Sequence, residues 1–65
     1  MKDLTEKELE VLFLVAKGYN NSQIGEKIFI TSHTVKAHVS SIIKKLEVAN
    51  RTEAIYVAMK NNLID

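Results

Sequence analysis

Residues 28–46, reading IFITSHTVKAHVSSIIKKL, constrain the fold more than any other part of the chain. The stretch has no acidic residue and carries three lysines, Lys36, Lys44 and Lys45. On a helix advancing ~100° per residue, Val35, Val39, Ile42 and Leu46 fall within roughly 60° of one another. They form one buried stripe. His33, Ala37, Ser40 and Lys44 occupy a similar arc on the opposite side, with Lys36 and Ser41 at its margins. Short polar and cationic side chains opposite a branched apolar stripe make a surface able to approach a polyanion closely. Double-stranded DNA is the first candidate, because such a helix fits the major groove and reaches base edges there. The same pattern also fits an amphipathic core helix with a solvated basic face.

The remaining residues point to more helices. Proline is absent and glycine occurs twice, so short turns between helices are expected. Three helix starts carry a capping-box pattern, in which the N-cap and N3 residues satisfy each other's backbone donors. These are Thr5 with Glu8, Asn20 with Gln23, and Asn50 with Glu53. Helix 1 is expected at about 6–17, with Leu9, Leu12, Phe13 and Ala16 as its apolar stripe and Gly18 ending it. Helix 2 is expected at about 21–28, burying Ile24 and Ile28. A turn through Phe29 and Ile30 leads to Thr31 as N-cap of helix 3, at about 32–46. Helix 4 is expected at about 51–61, with Asn61 or Asn62 left-handed at its end. The expectation is one all-α domain over residues 1–65, a compact four-helix fold in which helices 2 and 3 form a helix-turn-helix.

Composition bounds the function. With 65 residues and no cysteine, the chain has neither a disulfide framework nor a thiolate metal site. His33 and His38 are its two histidines, too few for a structural metal site without carboxylates. No apolar run reaches the length of a membrane span and no signal-peptide pattern is present, so the reading is cytoplasmic, without a membrane partner. No nucleophile–base pair, paired-carboxylate site or phosphate-cradling glycine loop occurs, so the expectation is no enzyme, cofactor or small-molecule substrate. The net charge of +1 is low for a nucleic-acid binder. Its distribution is uneven: residues 1–26 balance to −2 and residues 27–65 to +3. Basic charge therefore gathers around helix 3, as an electrostatic footprint on one face requires.

Several segments together resemble the LuxR-type helix-turn-helix, found in FixJ- and NarL-like response regulators of two-component systems and in the stand-alone regulator GerE. They are Leu4-Thr5-x-x-Glu8-x-Glu10-Val11-Leu12, Ala16-x-Gly18-x-Asn20-Asn21-x-x-Ile24 and Ile30-Thr31-x-x-Thr34-Val35-Lys36-x-His38. Lys45-Leu46-x-Val48, Arg51-Thr52-Glu53-Ala54 and Asn62-Leu63-Ile64 complete the pattern. The resemblance implies sequence-specific DNA binding for transcription regulation, with helix 3 in the major groove and dimerisation through helix 4. RNA polymerase is a further partner of such regulators. Three positions depart from the family habit. Gly25 stands for alanine, Glu47 stands for a glycine that ends helix 3, and Asn62 stands for another glycine.

Carried onto this chain, Lys36 is the leading candidate for a base or phosphate contact, with His33, Ala37 and Ser40 as base-reading positions. Thr31, Ser32 and Thr34 open helix 3, where free amides suit a phosphate. Asn20, Asn21 and Gln23 open helix 2, which crosses the sugar–phosphate backbone in a helix-turn-helix. Lys44 and Lys45 are candidate phosphate partners. His38 reads as a packing residue, and Glu10 with Arg51 as an ion pair between helices 1 and 4. On helix 4, with Ile55 and Ala58 facing inward, Glu53, Tyr56, Val57 and Lys60 form the candidate dimer surface. Two alternatives stay open at this point. One is a helical protein-interaction module with an incidental basic face. The other is a sigma-factor region 4-like domain, whose third helix is richer in arginine and does not match Thr34-Val35-Lys36-Ala37-His38.

Overall fold

The computed structural model describes residues 3–64. They form four helices: α1 (Glu6–Ala16), α2 (Asn21–Ile28), α3 (Ser32–Leu46) and α4 (Arg51–Lys60), with no strand among the described residues. The boundaries follow from local chemistry. Thr5 and Glu8 close a reciprocal capping box, and so do Asn20 and Gln23. Thr31 caps α3 by accepting from the Thr34 amide. The third expected box is half made: the Asn50 side chain accepts from the Glu53 amide, and the Asn50 amide makes no return bond to the Glu53 carboxylate.

Every helix is followed by a residue with positive φ: Gly18 at 95°, Phe29 at 61°, Glu47 at 56° and Asn62 at 59°. At three of these ends the paired bonds of a Schellman closure are complete. Tyr19 and Gly18 donate to Leu14 and Val15, Val48 and Glu47 to Ile43 and Lys44, and Leu63 and Asn62 to Ala58 and Met59. Only the first of the four is glycine. Glu47, where the family has glycine, thus sits in a left-handed backbone that strains a residue with a Cβ. Phe29 carries the same strain with its side chain 92% exposed, so no burial offsets it.

The core consists of Val11, Leu12 and Val15 of α1, Ile24 of α2, Val35, Ile42 and Leu46 of α3, and Ala54 and Ala58 of α4. The α3 stripe lies where its period puts it, with Val39 half-buried at its edge. α3 packs against all three other helices and holds the domain together. The α1 stripe differs from expectation. Glu8, Val11, Leu12 and Val15 are buried, whereas Phe13 and Ala16 are exposed and Leu9 is half-buried. On α4 the inward face centres on Ala54 and Ala58, with Ile55 half-buried beside them.

Glu8 sets the rotation of α1. It is 4% exposed, and its carboxylate receives the Lys45 ammonium at 2.7 Å, the Thr5 amide at 2.8 Å and the Ser41 hydroxyl at 2.8 Å. Burial by itself would raise the pKa of this group. The Lys45 ammonium, the Thr5 amide and the Ser41 hydroxyl outweigh burial and hold it at about 2. α1 is thus joined to the far end of α3 by a charged, fully satisfied contact.

Gly25 has a structural reason beyond helix propensity. It is buried where the turn folds back, and its carbonyl accepts from both the Phe29 and the Ile30 amides. A Cβ at Gly25 would collide with the Ile30 carbonyl oxygen. The absence of a side chain lets α2 and α3 approach closely across their turn.

Candidate nucleic-acid interface

The face of α3 turned away from the core carries His33, Lys36, Ala37, Ser40 and Lys44, all exposed. No acidic residue lies on α3. The helix stands on α1, α2 and α4 through its apolar stripe, so this face is presented outward from a packed base.

The first half of the face borders an open cleft of about 500 Å³. Asn20, Asn21 and Ser22 from the start of α2 form one wall; Ser32, His33 and Lys36 from α3 form another, and Arg51 from α4 closes it. None of these residues is acidic. Local bonding commits some of the polar groups. Asn20 and Gln23 hold each other at 2.9 Å in both directions. The Thr31 hydroxyl accepts from the Thr34 amide at 3.1 Å and lies 2.9 Å from the Thr34 hydroxyl. Ser32, His33 and Lys36 have no side-chain hydrogen bond to another described residue, which leaves them available to a ligand.

The structure gathers Asn20, Asn21, Ser32, His33 and Lys36 at one place and leaves Ala37, Ser40 and Lys44 further along the same outer face. Gln23 points to a separate hollow with Tyr19, Glu26 and Lys27. Lys45 was expected at a phosphate, but its ammonium is held by Glu8 at 2.7 Å. Lys45 lies about 90° from the centre of the buried stripe, as far as Lys36 but on the edge that meets Glu8 of α1. Ser41, on the same edge, is likewise taken by Glu8.

The Glu10–Arg51 pair does not form. Glu10 pairs with Lys7 one turn away at 3.2 Å, and the Arg51 guanidinium approaches the Asn21 side-chain oxygen at 3.5 Å. Arg51 and Ser22 are the cleft residues that the sequence reading did not assign to it. Ser22 follows Asn21 at the start of α2, whereas Arg51 reaches the cleft only because the fold brings the first residue of α4 near the start of α2, which periodicity does not show.

On α4, Glu53, Tyr56 and Lys60 are exposed and Val57 is half-buried. Tyr56 is 64% exposed, with the Lys60 ammonium 5.9 Å above its ring centroid. No group of three or more metal-ligating side chains exists among the described residues, and no helix there is long and apolar enough to cross a membrane.

Four helices on a shared core, with a tight α2–turn–α3 unit whose second helix presents an acid-free outer face, define a helix-turn-helix domain. Residues 2–58 match the GerE family description, bacterial regulatory proteins of the luxR family. The chain belongs to that family. It is 54% identical over 61 residues to the response regulator protein VraR of Staphylococcus aureus, a match covering 94% of this chain and 29% of the relative. The same figures hold for VraR of Staphylococcus epidermidis. The chain thus spans less than a third of the length of these relatives. Among solved structures, the transcription factor GerE superposes with a TM-score of 0.92 at 31% identity, covering 95% of this chain and 92% of that one. The response regulator ChrA of a heme-sensing two-component system gives a TM-score of 0.91 at 41% identity, covering 98% of this chain and 32% of that one.

Proposed function

We propose that residues 1–65 act as the DNA-binding output unit of a bacterial response regulator, with α3 in the major groove. The carrying observation is the outer face of α3. It is exposed and acid-free, and it stands on a core that fixes its direction. Lys36 has the reach for guanine O6 and N7, Ala37 suits a thymine methyl, and His33 and Ser40 flank them. Lys44 meets phosphate on the far side of the groove. Asn20, Asn21, Thr31, Ser32 and Thr34 lie toward the backbone beside the cleft. Recovery of bound sequences from a random DNA pool, followed by titration of Lys36→Ala, tests this. A base-reading lysine predicts a loss of about 1–3 kcal/mol on the selected site. Affinity equal to wild type on every duplex would remove Lys36 from the interface. Salt-independent binding would favour a protein-interaction module instead.

In this reading α4 pairs two copies on DNA, with Val57 at the centre and Glu53 of each copy opposite Lys60 of the other. The exposure of Tyr56 and Lys60 supports it. The helix is short, so the contact is small and the domain is mainly monomeric without DNA. The polymerase-binding and cytoplasmic assignments belong to the same reading of the whole regulator.

A further inference from the structure

We infer that Arg51, the first residue of α4, holds a backbone phosphate of the duplex and so extends the DNA contact beyond the helix-turn-helix. This rests on the proposed reading of α3. Arg51 is half-buried, yet it belongs to neither ion pair among the described residues, Lys7–Glu10 and Lys45–Glu8. Of its five N–H donors, one approaches a neutral acceptor, the Asn21 oxygen, at 3.5 Å. A guanidinium removed from part of its water and left without an anion is an unfinished arrangement.

The surroundings indicate the missing anion. Arg51 borders a second hollow lined by Val15, Tyr19 and Ile55 together with the polar Asn20 and Thr52, a mixed surface suited to an aliphatic stem that carries a charged head. On its other side it faces the open cleft, where Lys36 and His33 come from α3 and no carboxylate is present. The Arg51 Nη1 lies 3.5 Å from the side-chain oxygen of Asn21, which lines that same cleft. Two cationic side chains from different helices therefore share one cleft, at the end of α3 assigned to the groove. The anion that accompanies a base-reading helix at such a place is a phosphate, and the planar fork of arginine matches it in bidentate fashion. Arg51 acts here as a register-setting residue, which fixes how α3 sits and leaves base reading to others.

The test is an anisotropy titration of the full chain on one selected and one unselected duplex over a range of salt. Wild type, Arg51→Gln and Arg51→Lys are compared, with circular dichroism confirming their helix content. Arg51→Gln should bind both duplexes about three- to tenfold more weakly, and its salt slope should fall by about 0.9. Arg51→Lys, which keeps the charge, should retain the slope. Single methylphosphonate substitutions in the DNA supply a readout that survives if Arg51→Gln unseats α4. One neutralised phosphate should weaken wild type by a similar factor and lower its slope by a similar amount. An unchanged slope in Arg51→Gln, a loss confined to the selected duplex, or no sensitive phosphate would overturn the assignment while wild type still binds. Failure of wild type to bind either duplex would instead overturn the DNA-binding reading itself.

Discussion

The buried carboxylate of Glu8 makes the domain sensitive to acid in a way that can be isolated from its other acidic groups. In the folded chain its pKa is about 2, against an ordinary 4.5, because three donors outweigh the cost of burial. A group whose pKa is depressed on folding contributes stability above the unfolded value and loses it as pH falls through the folded one. The contribution is therefore complete above pH 4.5 and disappears between there and about 2. The full difference corresponds to at most about 3 kcal/mol. The Lys45 side chain is 25% exposed, so solvent screening reduces this to about 1–2 kcal/mol. In a domain this small, that shifts the melting temperature by about 10 °C. The assay is thermal denaturation of wild type and Glu8→Gln across this range of pH. The gap between them should be widest above pH 4.5 and shrink toward zero near 2. A Lys45→Met variant and the double variant complete a cycle, in which non-additivity of at least about 1 kcal/mol reports the pair. A gap that stays constant with pH would refute the reasoning, since the other carboxylates titrate identically in both proteins.

Two further outcomes concern strain and assembly. Glu47→Gly and Phe29→Gly should each stabilise the domain by about 1 kcal/mol, because each relieves a left-handed backbone at an exposed side chain; an unchanged or lower denaturation midpoint would mean that the side chain offsets the strain. Val57→Glu should abolish cooperative binding to paired half-sites in a gel-shift titration while leaving single-site affinity intact, and undiminished cooperativity would place the dimer contact elsewhere than α4.

What could be read directly from the sequence was whatever depends on residues three or four positions apart. The caps at Thr5, Asn20, Thr31 and Asn50 act within one turn, and so the four helix starts follow from the chain alone. The outer face of α3 is also legible, because apolar and polar residues alternate there at one clean helical period. α1 has no such clarity. Six of the seven residues from Leu9 to Val15 are apolar, so the pattern defines no single stripe. Its rotation was decided by Glu8, whose partners Ser41 and Lys45 lie 33 and 37 positions away. The same limit explains Arg51: its charge is plain in the sequence, but the cleft it closes exists only once α4 lies beside the start of α2. Local hydrogen bonding and periodicity thus determine the helices and the face α3 turns outward. Which charges remain free on the surface was settled by tertiary packing, because a cation's partner is whichever buried or desolvated group the folded chain brings within reach.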